Sequence, residues 1–447
     1  MVNTDAAHAI YHGPDRFYEK RNQTAKEDMK HELMNLTVAC ATLCMTTSCG
    51  IFKSAEEKDS MYDKTEKDMK AMYIDISGKQ RDMIRRNNEF ALNVFNMTTG
   101  HKSNVLSPAS ISFLMAMLAN GADGATRDEI MKTIGAEGCT TDELNELYAF
   151  IMKRSMTADN ATTVNIANYI ALNKHLSLKK DYRKCVKDIY GGSIEALDFA
   201  SPEAAGRINK WCGEQTDGMI PQIIDETSPA ALAYVLNAIY FNGTWEKQFD
   251  ESQTKEEQFF AYTRDIRHVK MMNRQAKYNY MKDGKFAALT MPYGNGSFAM
   301  TVLLPDEGCS VKEMMAGLSA EKLADVKSKM SEYTVNLKLP RFNTETRQDL
   351  KEIISKAGAP SMFNQEKADF RKMAEGGIAV SEMFQKAKIE VSEKGTKAAA
   401  VTMGVMTMSL RPQQTQRVEF CCNRPFVYLI TDTYTGTILF MGQYMGD

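Results

Sequence analysis

The sequence lacks the residue patterns on which common catalytic centres are built. It contains no Gly-x-Ser-x-Gly, His-Glu-x-x-His or phosphate-loop motif, so nothing in it indicates a hydrolase, a zinc peptidase or a nucleotidase. Only six histidines occur among 447 residues, and half of them lie in the first 31 residues. The sequence therefore offers few histidines from which a catalytic or metal centre could be built, and we expect no metal ion and no cofactor.

The spacing of the cysteines and the net charge argue against two further classes of protein, those that bind zinc and those that bind nucleic acid. The nine cysteines include no C-x-x-C pair and no cluster with histidine at zinc-ligand spacing. Neither sign of charge is in clear excess, since 55 basic and 57 acidic residues leave a formal net charge of −2. Without a basic surplus, the composition does not indicate nucleic acid as a partner.

The N-terminal region predicts export rather than a folded domain. Residues 1–28 are polar without periodicity, and we interpret them as a non-structural extension before a true start at Met29. Residues 29–48 combine a basic start, a short apolar run and small residues before Cys49, which is typical of a bacterial lipoprotein signal. Cys49 would then carry the lipid, and residues 49–80 would form a tether. The alternative is a short buried helix; the run is too short to span a bilayer.

From residue 81 to 447 the pattern becomes that of a compact domain. Apolar residues recur at helical spacing over 87–96 and 110–120. The long, apolar, β-rich segment 230–241 predicts a strand buried on both faces. Further predicted strands are 297–304, 334–339, 387–391, 426–431 and 437–441, the last two joined around Thr435-Gly436. Helices in the first half and strands in the second half predict an α+β fold.

A segment near the C-terminus carries almost only small, uncharged side chains. Residues 395–407 contain one charge, Lys397, and in a strand Thr396, Ala398 and Ala400 would share one face. That face could enter a packed sheet without steric overlap, whereas polar flanking residues could equally keep the segment in solvent as a loop. A surface helix rich in alanine is the competing interpretation, although glycines and β-branched residues in the segment oppose it.

Seven blocks of sequence resemble the serpin family. They are Ser107-Pro108-Ala109-Ser110, Ile208-Asn209-Lys210-Trp211, 235–245, Leu339-Pro340-Arg341-Phe342, Ala368-Asp369-Phe370, 393–400 and Asn423-Arg424-Pro425-Phe426. Together they extend from about residue 82 to the C-terminus, and their joint order is far more specific than any single block. The resemblance implies a serpin fold with three β-sheets, eight to nine helices and an exposed reactive loop at about 393–419.

This resemblance implies an inhibitor of serine-type endopeptidases and not an enzyme. A protease would attack the loop, form a covalent acyl complex and be carried along as the freed loop inserts into the large sheet. The family count, with Gly395 as the first residue, makes Ser409 the fifteenth, so the expected scissile bond is Ser409-Leu410. A register shifted by one gives Met408-Ser409. The small Ser409 suits elastase-like or subtilisin-like proteases, whereas Met408 suits elastase-like or chymotrypsin-like pockets.

Other roles follow from the resemblance by position. The hinge of the loop would comprise Glu393, Gly395, Thr396, Ala398, Ala399 and Ala400. The residues expected where the sheet opens are Ser107, Ser110, Asn237, Gln385, Trp245 and Arg341, with an ion pair between Arg341 and Glu393. Gln385 stands where the family often has histidine, so the hydrogen-bond network would lack a group that titrates near neutral pH.

The resemblance leaves one rival function open, that of a non-inhibitory binding or chaperone protein. Such relatives tend to carry bulky, charged or proline residues in the hinge. The run Ala398-Ala399-Ala400, and the absence of proline between Gly395 and Arg411, favour the inhibitor. The expected partner is a target serine protease, bound covalently by a monomeric chain that meets a membrane only through Cys49. We expect an exported protein, lipid-anchored in a bacterial envelope or extracellular.

Overall fold

In the computed structural model, residues 76–263, 265–396 and 416–447 are described. These ranges contain nine α-helices: α1 Gly78–Thr98, α2 Pro108–Gly121, α3 Gly124–Thr133, α4 Thr141–Thr157, α5 Lys180–Tyr190, α6 Glu203–Gln215, α7 Val311–Ala316, α8 Ala320–Lys329 and α9 Lys351–Ala357. Capping fixes several of their starts. The side chains of Ser77, Thr140 and Ser310 each accept a hydrogen bond from the backbone N–H three residues later, and the backbone N–H of each donates to the Glu or Gln side chain at that later position.

The same ranges contain seventeen strands. They are β1 Asn104–Leu106, β2 Thr162–Asn173, β3 Ser177–Leu178, β4 Ser193–Leu197, β5 Ala233–Thr244, β6 Lys255–Phe260, β7 Ile266–Asp283, β8 Phe286–Tyr293, β9 Phe298–Pro305, β10 Ser331–Pro340, β11 Phe342–Asp349, β12 Ala374–Glu375, β13 Glu382–Val391, β14 Gly395–Thr396, β15 Arg417–Cys421, β16 Phe426–Asp432 and β17 Ile438–Tyr444.

The strands form two large sheets and a two-stranded pair. The six-stranded sheet has the order β11-β13-β14-β5-β2-β4, and β13 also pairs directly with β5. The nine-stranded sheet has the order β1-β17-β16-β9-β8-β7-β10-β15, with β6 on β7. Strand β7 is 18 residues long; one part pairs with β6 and β10 and its end pairs with β8. Two groups of strands are joined into one sheet in this way.

The main core surrounds α2, all of whose residues except Asn120 are buried. A second, smaller apolar cluster lies where α6 packs on the six-stranded sheet. There the ring of Trp211 lies against Tyr169, with centroids 4.7 Å apart. The six-stranded sheet is therefore covered on one face by the main core and partly covered on the other face by α6.

The α+β fold predicted from the sequence is confirmed. The predicted strand at 230–241 is β5, whose first nine residues are all buried, and the predicted C-terminal pair is the hairpin of β16 and β17. The helix predicted at 87–96 begins earlier, at Gly78, because Ser77 caps it. None of the described helices has both the length and the apolar character that a membrane span requires.

Candidate functional site

The small-residue segment begins at the end of the six-stranded sheet where β5 and β13 both terminate. Strand β13 ends at Val391, the chain turns through 392–394, and Gly395 and Thr396 form β14. Thr396 pairs with Val391 on one side and with Gly243 of β5 on the other. The first two residues of the small-residue segment are therefore already strand residues between β13 and β5.

Gly395 is required by the turn that makes this placement possible. Its φ is +150°, and a Cβ atom there would overlap the carbonyl oxygen of Gly243. The turn is closed by two backbone hydrogen bonds, from Ser392 N to Gly395 O at 2.8 Å and from Gly395 N to Ser392 O at 3.2 Å. A side chain at this position would push β14 away from β5.

Glu393, within the same turn, is held by two side chains. Its carboxylate, 3% exposed, accepts hydrogen bonds from Arg341 at 2.6 and 3.1 Å and from the Thr254 hydroxyl at 2.7 Å. Burial by itself raises the pKa of Glu393, but these hydrogen bonds outweigh it, so the pKa lies below its ordinary value. The structure thus brings Glu393 and Arg341 together, and the charged pair ties the turn to the start of β11.

Two aromatic rings cover the hinge. The indole N–H of Trp245 donates to the Ser392 carbonyl oxygen at 2.9 Å, and its ring stacks on Tyr293 with centroids 4.3 Å apart. The Tyr293 hydroxyl lies 2.7 Å from the Thr396 hydroxyl, and both residues are fully buried. Sequence reasoning missed Tyr293, because it lies on β8 of the other large sheet.

Beyond the hinge, β13 and β5 pair directly with each other. They are parallel, with Glu382–Lys388 opposite Tyr234–Tyr240, whereas β14 is antiparallel to both. We call this parallel contact the seam. A strand that extended β14 along the seam would replace one parallel ladder by two antiparallel ones, and antiparallel pairing is slightly more stable per residue.

A buried polar cluster lies at the seam. Gln385 on β13 accepts from Ser107 N at 2.8 Å and donates to the Asn237 side-chain oxygen at 2.9 Å and to Ser107 O at 3.0 Å. Asn237 on β5 donates in turn to the Asn168 side-chain oxygen on β2 at 2.9 Å. All four residues are at most 1% exposed. Separation of β13 from β5 therefore requires the Gln385–Asn237 hydrogen bond to break.

Comparison with known proteins decides the family. A family model described as serpin (serine protease inhibitor) matches residues 85–446. The chain belongs to the serpin family. Leukocyte elastase inhibitor A of Mus musculus is 31% identical over 377 residues, which cover 80% of this chain and 97% of that protein. The serpins are protease inhibitors rather than enzymes, and the sequence-based assignment to this family is confirmed.

Solved serpin structures agree with the fold. The native state of the thermophilic serpin tengpin is 28% identical with a TM-score of 0.75, covering 83% of this chain and 95% of that chain. A complex of thyroxine-binding globulin with thyroxine is 26% identical with a TM-score of 0.73, covering 81% of this chain and 98% of that chain. The serpin fold expected from the sequence is therefore confirmed.

Two details of this serpin's polar cluster differ from expectation. Ser110 contributes only its backbone N–H, which donates to the Ser107 hydroxyl at 3.2 Å, while its own hydroxyl is buried without a partner among the described residues. Asn168 was missed by sequence reasoning. Its signal was a buried polar residue within the apolar strand β2, and its role became visible only when β2 was placed beside β5.

Several residues that the sequence singled out lie outside the described ranges. They are Cys49, Ala398, Ala399, Ala400, Met408, Ser409 and Leu410. The scissile bond and the lipid anchor therefore stay predictions, as do the assignments of 1–28, 29–48 and 49–80; of the last range, residues 76–80 are described, and 78–80 belong to α1. The described site consists of the first part of the hinge, residues 393–396, together with the seam and the polar cluster.

Proposed function

We propose that this serpin is an irreversible suicide-substrate inhibitor of serine-type endopeptidases. The observation that carries the proposal is the position of β14. Gly395 and Thr396 already lie between β13 and β5 in the antiparallel direction that an inserted loop would continue. The next residues, 397–407, carry small or apolar side chains apart from Lys397 and the hydroxyl-bearing threonines, and so suit a strand in a packed sheet.

The proposed reaction begins as ordinary proteolysis. The protease serine oxygen attacks the carbonyl carbon of Ser409, the peptide bond to Leu410 breaks, and the Leu410 amine leaves with the proton. An ester then joins Ser409 to the protease. The freed segment extends β14 along the seam; fifteen residues at about 3.3 Å each cover about 50 Å, so the tethered protease is carried far from its starting position before water can cleave the ester.

The small side chain at Ser409 supports an elastase-like or subtilisin-like target. Met408 is the alternative first residue of the scissile bond, and it also suits elastase-like pockets. The similarity to a protein named leukocyte elastase inhibitor A points in the same direction. A trypsin-like target would require cleavage after Arg411, two residues beyond the preferred position.

Incubation with elastase, subtilisin, chymotrypsin and trypsin tests this proposal. We expect a complex with elastase or subtilisin that survives SDS, and a released C-terminal peptide whose mass shows that it starts at Leu410. A peptide that starts at Ser409 would move the bond by one residue. Cleavage by every protease without any SDS-stable complex would contradict the inhibitor.

A binding protein without inhibitory activity is the second candidate. The similarity to thyroxine-binding globulin favours it, because that protein was solved with bound thyroxine and its fold matches over 98% of its own chain. The small hinge side chains and the inserted β14 favour the inhibitor instead. A chain that is cut in the loop, forms no complex and is no more heat-resistant afterwards would support the binding protein.

We further propose that residues 29–48 direct export and that Cys49 carries a lipid. The support is the order of basic, apolar and small residues before this cysteine. Expression in a bacterium with a labelled fatty acid tests it. We expect label in the wild-type protein and none in Cys49→Ala, and equal labelling of both would refute the anchor.

A further inference from the structure

The exposed side of α5 carries a continuous row of positive charge. An α-helix turns about 100° per residue, so residues three and four apart share a face. Tyr182, Val186 and Tyr190 have this spacing and are buried in the main core. The exposed cations of the helix have the same spacing, and we call them the α5 stripe: Lys180, Arg183, Lys184 and Lys187.

The folded domain does not neutralise the α5 stripe. Among the described residues, none of its four cations is ion-paired with a carboxylate, and the same holds for Lys179 just before it. Cations nearby in the chain differ, since Lys174 is paired with Asp198 at 2.6 Å. The two acidic residues of the helix, Asp181 and Asp188, lie to one side of the stripe, as the helical turn per residue requires. The charge of the stripe is therefore left for an anion outside the domain.

The helix that presents the stripe is held firmly on its other face. The Tyr182 hydroxyl donates to the Met117 carbonyl oxygen of α2 at 3.1 Å. The Tyr190 hydroxyl donates to the Asn145 side-chain oxygen of α4 at 2.5 Å. Because the apolar face is already used by the core, α5 could meet a partner only through its charged face. Such a contact needs no rearrangement of the domain, and salt should weaken it.

The start of α5 lies far from the hinge. Strand β2 pairs with β5 from Thr162, opposite Gly243 beside the hinge, to Leu172, opposite Ala233. Its 12 residues at about 3.3 Å each separate its two ends by roughly 35 Å. The chain reaches α5 seven residues after β2 ends at Asn173. Substitutions in the stripe should therefore leave the hinge, the seam and the trapping of a protease in solution unchanged.

We propose that the α5 stripe docks the domain on the surface of an anionic membrane. Clusters of Lys and Arg on an amphipathic helix are attracted to acidic lipids, whose phosphate groups they bind. The proposed lipid at Cys49 would keep the chain beside such a surface, and the stripe would determine which side of the domain faces it. The docking goes beyond the inhibition of proteases and does not depend on it.

Two double variants test the docking, each made in the full chain together with Cys49→Ala. That substitution removes the proposed lipid, so that binding to vesicles reports on the rest of the chain. Each double variant removes two charges from the stripe; the pairs are Lys180→Gln with Lys184→Gln and Arg183→Gln with Lys187→Gln.

A matched control removes two cations elsewhere on the surface. It combines Lys255→Gln on β6 with Lys312→Gln on α7, again in the chain with Cys49→Ala. Both lysines are exposed, and neither is ion-paired with a described carboxylate. The control and the stripe variants therefore have the same net charge and differ only in where the charge was removed.

Co-sedimentation with vesicles of phosphatidylglycerol and phosphatidylcholine in equal parts is the measurement, with pure phosphatidylcholine vesicles as the reference. Each cation close to an anionic surface strengthens binding about fivefold, so each stripe variant should bind at least about tenfold more weakly than the control. The difference should shrink when the salt is raised from about 0.1 M to about 1 M, because the screening length falls to about 3 Å. Binding to pure phosphatidylcholine should be equal in all variants.

Equal binding of the stripe variants and the control to the acidic vesicles would overturn the docking. Retention on dextran sulfate that is lost only in the stripe variants, with vesicle binding unchanged, would instead assign the stripe to a soluble polyanion and also overturn it. The two stripe variants share no substitution in the helix, so if one melts below the control, the other decides. Vesicle binding needs no protease, and a chain that traps none would disprove the inhibitor without affecting this test.

Discussion

The ion pair between Arg341 and Glu393 determines how firmly the hinge is held at neutral pH. Because the pKa of Glu393 is lowered in the folded state, the pair stabilises the fold above the ordinary value of 4.5, and this contribution is lost as the pH falls through the lower folded value. Arg341 is 47% exposed, so solvent screening reduces the energy of the pair.

Arg341→Met should lower the stability by about 1–2 kcal/mol near pH 7, because it leaves a buried carboxylate with fewer partners. The difference from the wild type should shrink as the pH falls through the lowered folded-state pKa of Glu393, where the carboxylate becomes protonated. Urea unfolding at several pH values measures the loss of stability near pH 7 and its change with pH. Glu393→Gln is the control, and a difference between wild type and Arg341→Met that stays constant with pH would contradict the assignment.

Gln385 accepts one hydrogen bond and donates two at the seam, which a neutral amide can do at any pH. Gln385→His should introduce a pH dependence near the ordinary histidine pKa of about 6.5, since a protonated imidazole cannot accept from Ser107 N. We expect faster hydrogen–deuterium exchange of seam amides in the variant at about pH 5.5 than at about pH 8, relative to the wild type at each pH. An unchanged ratio would show that position 385 does not control the seam.

At the scale of the element, β14 is short, and its function depends on whether it can lengthen. Thr396 is fully buried against Tyr293 in the intact protein, so Thr396→Arg would place a charge in the core and displace β14 from its position between β13 and β5. The variant should still be cut but should trap at least about tenfold less protease, because insertion slows relative to hydrolysis of the ester. Lys394→Arg, at an exposed position of the same turn, is the control. Full trapping by Thr396→Arg would contradict insertion through β14.

At the scale of the whole molecule, the proposed function requires a native state that is less stable than the cleaved state. Insertion of about fifteen residues replaces one parallel ladder by two antiparallel ones, with about 1 kcal/mol for each hydrogen bond gained, and raises the melting temperature on the order of 10 °C or more. Scanning calorimetry of intact and loop-cleaved protein measures this rise. Equal melting temperatures would mean that the cut loop stays outside the sheet.

Local patterns were strong enough to predict several parts of this structure. The continuous apolar run of β5 and the hairpin of β16 and β17 follow from burial and turn chemistry over a few residues. The long strand β7 was not predicted, because its exposed and buried residues follow no clear period of two. It packs differently along its length, which the local sequence does not show.

The sequence by itself determined the family and the α+β class, because these depend on short blocks of residues whose order is preserved along the chain; the hinge at 393–400 stays a prediction. Only the tertiary structure decided which partners act on the hinge and the seam. Tyr293 reaches Thr396 across 103 residues, and Arg347 reaches Ile223 across 124. Contacts at such separations are set by the packing of sheets and helices, since each residue's own surroundings in the chain carry no information about its distant partner.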